Sequence, residues 1–377
     1  SLYRQDVRQL ARQLSQSASR VTVSEAVAER LVRYRELFAE TYGAIPRRHL
    51  DMPYRVLLQL MEARLAATEQ DAEIFEHELT WMLVHQVFSF NSPVWFNVGT
   101  PSPQQVSACF ILSVDDQMSS ILNWYVEEGT IFKGGSGAGV NLSAIRSSRE
   151  ALRGGGQASG PVSFMRGADA SAGTIKSGGT TRRAAKMVVL DVAHPDVEEF
   201  VWCKAREERK VRVLEQAGFD VGFDGADSHS IMYQNANNSV RVTDEFMTAV
   251  EADVDWDLKA VTDGSVLDTI GARDLFRQMS EAAWECADPG IQFDTTINRW
   301  HTASNTGRIT ASNPCSEYVH LDDSACNLAS LNLLAFLGSS DHDTGAIGGF
   351  DVEGFCHAVE VVFTAQEILV GNADYPT

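Results

Sequence analysis

"KMVVLDVAHPDVEEFVWCKA", residues 186–205, reads as one strand, one turn and one helix in twenty residues. Met187–Leu190 is a short, unbroken apolar run, the pattern of a strand buried on both faces. His194, Pro195 and Asp196 then punctuate the chain, and a helix follows, capped near His194–Asp196. The same grammar recurs on either side. "NNSVRVTDEFMTAV" (237–250) is a strand running into a helix, and "DDQMSSILNWYVEEGTIFKGGSGAGVNLSAI" (115–145) a helix leading through a glycine-rich turn into a strand. "ARDLFRQMSEAAWECADPG" (272–290) has amphipathic helical spacing, "IQFDTTIN" (291–298) reads as a short strand, and "FDVEGFCHAVEVVFTAQEILVGN" (350–372) as a final helix. Strands alternating with helices imply an α/β fold with parallel pairing. Residues 1–88 read as helical throughout, as in "VSEAVAERLVRYRELFAETYG" (23–43), with Ser24 as cap and Gly43 as stop.

The chain has 377 residues, room for two or three domain-sized units or one large α/β barrel. No apolar window is long enough for a bilayer span, and the polar N-terminus has no secretory h-region. Six cysteines (109, 203, 286, 315, 326 and 356) form no C-x-x-C pair, which argues against a zinc or thioredoxin-like site. So few in so long a chain make no disulfide scaffold, and a reducing cytoplasm is the expected setting. A net charge of −20 argues against nucleic-acid or anionic-membrane partners. Residues 131–186 depart from that balance, with nine Lys/Arg against Glu150 and Asp169, and 12 of the 28 glycines. Glycines that admit a ligand to the backbone, beside arginines, suit a phosphorylated small molecule. A solvated basic loop fits the same composition, and composition alone does not separate the two.

"ASNPCSEYVHL" (311–321) carries the chemistry. In an extended segment Asn313, Cys315 and Glu317 would share one face and present an amide, a thiol and a carboxylate together. His320 would face the other way, so no nucleophile–base pair of the hydrolase kind is expected. A buried structural cysteine with polar neighbours fits the same spacing.

"NPCSE" (313–317) followed by "CNLASLNL" (326–333) resembles the active-site signature of ribonucleotide reductase large chains. "FNSPVWFNVGTPSPQQVSACFIL" (90–112), "GGSGAGVNLSAIRS" (134–147), "LRGGG" (152–156) and "IKSGGTTRRAAKMVVLDVAHPDVEEF" (175–200) fit the same family in order. "FNSPVWFN", "NNSVRV" and "ADPGIQFDTTINRWHT" look most like its adenosylcobalamin-dependent class II branch. The resemblance spans about residues 85–377. It implies a ten-stranded α/β barrel, incomplete here, preceded by a helical N-terminal region: residues 1–88 helical, and 89–377 the first part of the barrel with an allosteric specificity region at about 116–186.

Residue by residue, Cys315 resembles the thiyl-radical cysteine, Glu317 the base for the 3′-hydroxyl and Asn313 the amide orienting it. Cys109 and Cys326 resemble the redox pair that becomes a disulfide. Ser92 and Ser107 resemble substrate-binding residues alongside Asn313 and Glu317. Asp116, Arg146, Arg153, Lys176 and Arg182 resemble effector-binding residues, the last two in a mobile loop (176–186) that reports effector identity. The implied partners are a ribonucleoside di- or triphosphate, a dNTP or ATP effector, an external dithiol such as thioredoxin, and a second copy or the remaining barrel half. Adenosylcobalamin is the implied cofactor, with no metal site and no ATP-binding activity cone. "NADYPT" ends the chain directly after a helix, which suggests a truncated or split barrel. A class I chain with a separate radical-generating subunit, or a nucleotide-binding half without activity of its own, are the alternatives.

Overall fold

A computed structural model describes residues 69–175, 185–222, 225–338 and 348–376. The expected N-terminal helices before residue 69, and Lys176 and Arg182 of the expected loop, lie outside the described residues.

In chain order the helices and strands are α1 (Glu69–Val84), β1 (Phe88–Phe90), α2 (Ser92–Asn97), β2 (Cys109–Leu112), α3 (Met118–Lys133), β3 (Gly137–Asn141), α4 (Pro161–Thr174), β4 (Ala185–Asp191) and α5 (Val197–Gln216). After these come β5 (Ala236–Val242), α6 (Asp244–Ala252), β6 (Asp255–Lys259), β7 (Val266–Gly271), α7 (Ala272–Cys286), β8 (Gly290–Phe293) and α8 (Asp294–Arg299). The last are β9 (Ala311–Ser312), β10 (Val319–His320), β11 (Ser324–Cys326), β12 (Ala329–Leu331) and α9 (Val352–Gly371). The chain divides into two compact units, one from residues up to 107 together with 327–375, the other from 108–326.

In the first unit β1 pairs antiparallel with β12, Phe88 opposite Leu331. Leu79 and Met82 of α1, Phe88 and Phe90 of β1, and Ala358, Val361, Val362, Ala365 and Ile368 of α9 close its core. By length and composition α9 could cross a bilayer, but that buried stripe packs like the face of a core helix.

The second unit is built on a six-stranded sheet, order β11-β2-β3-β4-β5-β8, with β11 antiparallel and the rest parallel. This is the α/β architecture the sequence pattern implies. Strand alternation gives the sheet two different faces. Phe110, Leu112, Ala138, Val140, Val188, Leu190, Val240 and Val242 point to one side and meet Trp124, Met165, Phe200 and Leu275 of the helices. Cys109, Ile111, Gly137, Gly139, Met187, Val189, Asn237 and Arg241 occupy the alternate positions. Here Ile111, Met187 and Val189 pack with Ala311 and Tyr318 instead of with helices. One local expectation is corrected. "IQFDTTIN" is strand only to Phe293, because Asp294 opens α8 with its carboxylate in the first turn. Between α6 and α7 the chain also forms the hairpin β6–β7, unread in the sequence although β6 alternates polar and apolar residues and buries Leu258.

The basic window is reinterpreted at Lys186. This residue is 1% exposed, on the helix-facing side of β4. Its Nζ lies 2.5 Å from Glu128 Oε2 on α3 and 4.6 Å from the Trp124 ring centroid. Burial pushes the Glu128 carboxyl up, against the pull of the Lys186 charge. This lysine is a core ion pair and is spent before any phosphate could reach it. Removing one partner leaves the other charge buried and uncompensated. Lys186→Met is therefore expected to lose about 3–5 kcal/mol of unfolding free energy. Urea titration measures it, and adding Glu128→Leu should recover most of the loss.

Candidate active site

The segment 311–320 is a hairpin, which corrects the extended geometry expected from its sequence. β9 and β10 pair antiparallel, Ser312 opposite Val319 and Ala311 opposite His320. Between them the Ser316 N–H donates to the Asn313 carbonyl at 3.1 Å and closes a four-residue turn. Pro314 occupies the second turn position, where its fixed φ is favourable, and Cys315 the third. Ser316 takes a left-handed φ of 64°. The chemistry of the segment survives, but a turn delivers it.

This hairpin lies on the face of the sheet that the helices leave uncovered, and two glycines of β3 make room for it. A Cβ on Gly139 would sit 1.8 Å from the Ser312 carbonyl oxygen, and one on Gly137 would sit 2.8 Å from Pro314 Cγ. Asn237 of β5 donates its Nδ2–H to the Pro314 carbonyl at 2.9 Å. Composition pointed "GGSGAG" toward a phosphate; at these two positions the glycines serve close packing against the hairpin instead, its backbone at Gly139 and the Pro314 ring at Gly137.

Asn313 is fully buried. Its N–H donates to the Tyr318 carbonyl at 3.0 Å, and its Oδ1 accepts from the Tyr318 N–H at 2.9 Å. That fixes the amide so that Nδ2–H donates to Cys109 Sγ at 3.0 Å. Glu317 Oε1 lies 4.0 Å from the same sulfur. Cys109 and Cys326 stand directly opposite on β2 and β11, and the Ala108 N–H donates to the Cys326 carbonyl across that pair. The hydrogen bond to Cys109, then burial, raise the Cys326 thiol far above its ordinary range, so it remains protonated at neutral pH. Cys315 is exposed at the turn. One turn and two strands thus bring together Asn313, Glu317, Cys109 and Cys326: two sulfurs, a hydrogen-bonding amide and a carboxylate, with Cys315 at the third position of the same turn. His320 stacks on Tyr318 and meets His301 edge-on, at 5.9 and 5.8 Å between ring centroids.

The other cysteines differ. Burial pushes the Cys203 thiol up to about 12, and its sulfur accepts from Asn238 Nδ2–H at 3.3 Å. Burial also raises Cys286, and Cys356 is exposed on α9. Ser92 begins α2 and Ser107 is buried, both in the first unit.

Of the expected effector residues, Asp116 and Arg146 come together: Arg146 Nε donates to Asp116 Oδ2 at 2.6 Å and its N–H to Oδ1 at 3.1 Å. Arg153 is exposed in the loop after them. That loop is stapled to the start of α5. Asp196 holds the N-cap position, but its carboxylate accepts from Ser148 N–H and Oγ–H, each at 2.8 Å. Neighbouring His194 is buried, which lowers its pKa. Its Nδ1 accepts from Asp196 N–H at 3.1 Å and its Nε2 meets the Ile145 carbonyl at 3.0 Å, an arrangement that needs the proton on Nε2.

Sequence reading missed Ser312, Asn237, Tyr318, Arg241 and Gln292. Only Ser312 and Tyr318 flank the motif. The others reach it from distant strands, with no spacing to announce it.

The fold and site together define a mixed α/β sheet whose open face carries a turn with thiol, amide and carboxylate. Residues 107–377 match the family described as ribonucleotide reductase, barrel domain, and the chain belongs to that family. Vitamin B12-dependent ribonucleotide reductase of Streptomyces clavuligerus is 64% identical over 316 residues, 84% of this chain and 33% of that protein. The Rhodopirellula baltica protein of the same name is 48% identical over 340 residues, covering 82% and 32%. A Mycobacterium tuberculosis vitamin B12-dependent ribonucleoside-diphosphate reductase is 35% identical over 254 residues, covering 67% and 33%. The chain thus spans about a third of the length of the curated relatives it matches. Residues 1–88 match another family, phosphoenolpyruvate carboxylase, over less than a quarter of the 377-residue chain.

The crowding at Gly139 and the open space at Gly154 set up a paired comparison. Gly139→Ala should cost about 1–3 kcal/mol or more by overpacking against Ser312. Gly154→Ala, where an added Cβ meets nothing within 4 Å, should stay within about 0.5 kcal/mol. Parallel urea titrations of the two variants compare them.

Proposed function

We propose that this chain carries the reacting groups of a class II ribonucleotide reductase, which converts ribonucleotides to 2′-deoxyribonucleotides by thiyl-radical chemistry. The observation that supports it most is the convergence on Cys109: Asn313 Nδ2 at 3.0 Å, Glu317 Oε1 at 4.0 Å, and Cys326 directly across the strand pair. Cys315, as a thiyl radical, takes the 3′-hydrogen of the ribose. Glu317 accepts the 3′-hydroxyl proton, and Asn313 orients that hydroxyl. The 2′-hydroxyl leaves as water after protonation by the Cys109/Cys326 pair. The pair gives two electrons and becomes a disulfide, Cys315 returns a hydrogen to C3′, and an external dithiol such as thioredoxin restores the pair. A reducing cytoplasm suits a pair that must begin each cycle as thiols.

The relatives' names supply the cofactor. Bound adenosylcobalamin would supply the radical that Cys315 carries. The one feature here that it requires, an accessible thiol, is met by Cys315, exposed at the tip of its turn. The residues that would hold the corrin ring are not assigned.

The proposal extends to a ten-stranded barrel of which residues 89–377 form the first part after a helical 1–88, with Ser92 and Ser107 on the substrate. It also extends to a specificity region at about 116–186, where Asp116, Arg146, Arg153, Lys176 and Arg182 read a dNTP or ATP effector, and to assembly with a second copy or the remaining barrel. The substrate is a ribonucleoside di- or triphosphate. The second reading is a nucleotide-binding half without activity of its own.

Nucleotide reduction with adenosylcobalamin as sole radical source and dithiothreitol as reductant separates these. The chain is assayed alone and with the remaining barrel. Turnover without a metal-bearing second subunit is the expected result. Retained triphosphate binding with no turnover in either format would establish the inactive half. Cys315→Ser should abolish reduction with effector affinity unchanged; residual turnover would remove the radical role. Arg182→Ala should blur effector-dependent substrate choice more than it lowers total turnover.

A further inference from the structure

Behind the turn runs a buried polar chain that the proposed chemistry does not use. Arg241 on β5 is 2% exposed, and Gln292 is its direct partner on β8. Arg241 Nε donates to Asp294 Oδ1 at 2.6 Å, Nη1 to Gln292 Oε1 at 3.0 Å, and Nη2 to the Ile309 carbonyl at 2.7 Å. Arg308 also pairs with Asp294. Gln292 Nε2–H donates to Ser312 Oγ at 2.8 Å, and Ser312 Oγ–H donates to the Asn313 carbonyl at 2.9 Å. Asn313 in turn donates to Cys109. Every side chain from Asp294 to Cys109 in this series is buried.

The direction of each bond follows from the first. A guanidinium only donates and does not lose its proton in proteins. Gln292 must therefore turn its oxygen to Arg241 and its NH2 to Ser312. Ser312 Oγ, having accepted from Gln292, has its own proton left for the Asn313 backbone carbonyl at 2.9 Å, nearer than Ser316 Oγ at 3.4 Å, which can donate to Ser312 in turn. On the far side Asn298 holds Ile309 at both backbone atoms, accepting from its N–H and donating to its carbonyl, each at 3.0 Å. The strand entering the turn is thus clamped at Ile309 and again at Ser312.

We propose that Gln292, oriented by Arg241 and acting through Ser312, is a positioning residue that fixes Asn313 against Cys109. This rests on the role given to Asn313 under Proposed function. It touches neither substrate nor cofactor. Its contribution is to hold the Asn313 backbone carbonyl, and so the turn from which the side chain reaches Cys109, in one place, at a site where a displacement of about 1 Å costs on the order of 100-fold in rate.

Two substitutions test it. Gln292→Glu keeps the acceptor that Arg241 needs but cannot donate to Ser312. The Ser312 proton is then drawn to the carboxylate and away from Asn313. Gln292→Met keeps the length of the side chain and removes both polar groups. Each is made in the reductase assembled with its remaining barrel and adenosylcobalamin. Backbone amide exchange is followed at Asn313, Ser316 and Tyr318, with Val188–Leu190 of β4 as the control for intact fold. The expected result is exchange about tenfold faster or more at the three turn amides, the equivalent of one lost hydrogen bond. It comes with kcat down about 100-fold, KM unchanged and the control unaltered.

Unchanged exchange at the turn in Gln292→Glu overturns the proposal, as does faster exchange with unchanged kcat. A fall confined to KM also overturns it, since that would place Gln292 in substrate binding. Should the unsubstituted protein reduce no nucleotide, the functional reading fails separately, and turn exchange alone decides whether Gln292 fixes Asn313.

Discussion

The site depends on one close approach: the Ser312 carbonyl resting on Gly139 of β3, where a Cβ would lie 1.8 Å away. Without side chains at 137 and 139 the hairpin settles onto the sheet, so Asn313 is enclosed. Enclosure removes water as a partner, and a buried amide without partners is costly. The polypeptide meets that demand at both ends of the side chain, Tyr318 N–H on Oδ1 and Cys109 Sγ on Nδ2–H, while Ser312 Oγ–H holds the Asn313 backbone carbonyl. The orientation of the amide is therefore a consequence of packing. A looser seat would let water in, and the amide could then turn at little cost.

The two faces of the sheet meet the burial of polar groups in different ways. Toward the helices the interior is apolar, with Lys186–Glu128 as a close pair of opposite charges beside Trp124. On the open face, Asp294 sits between Arg241 and Arg308, and its neighbours pass hydrogen bonds toward the turn. The first arrangement ends in itself. The second ends on a sulfur.

Much of this was legible in the sequence. Strand-then-helix spacing around 186–205 and 237–250 gives the parallel α/β sheet, because period-2 and period-3.6 patterns seldom mimic each other over such lengths. Asn313 and Glu317, expected to share a face, both reach Cys109, which stands opposite Cys326. The turn was harder to read. An extended strand and a Pro-led turn both bring alternate residues near one another, and only the Ser316-to-Asn313 bond separates them. Lys186 looked like one more basic residue in a glycine-rich window because its partner, Glu128, lies 58 positions earlier. Arg241 and Gln292 are invisible for the same reason: strand order, not sequence spacing, makes them neighbours.

Alternation in the sheet carries a consequence for how such a chain can diverge. A shift of one residue in strand register turns every side chain over. In β3 it would send Gly137 and Gly139 toward the helices and drive Ala138 and Val140 into the hairpin. A void would open in the core, and the turn would be lifted off its seat, in one event. Point substitutions can be absorbed on either face separately, but a single-residue insertion or deletion inside β2 to β5 strikes stability and chemistry together. Length variation in this family is therefore expected to collect in segments such as the exposed glycines 154–156, where an added atom meets nothing, and to be nearly absent from the strands.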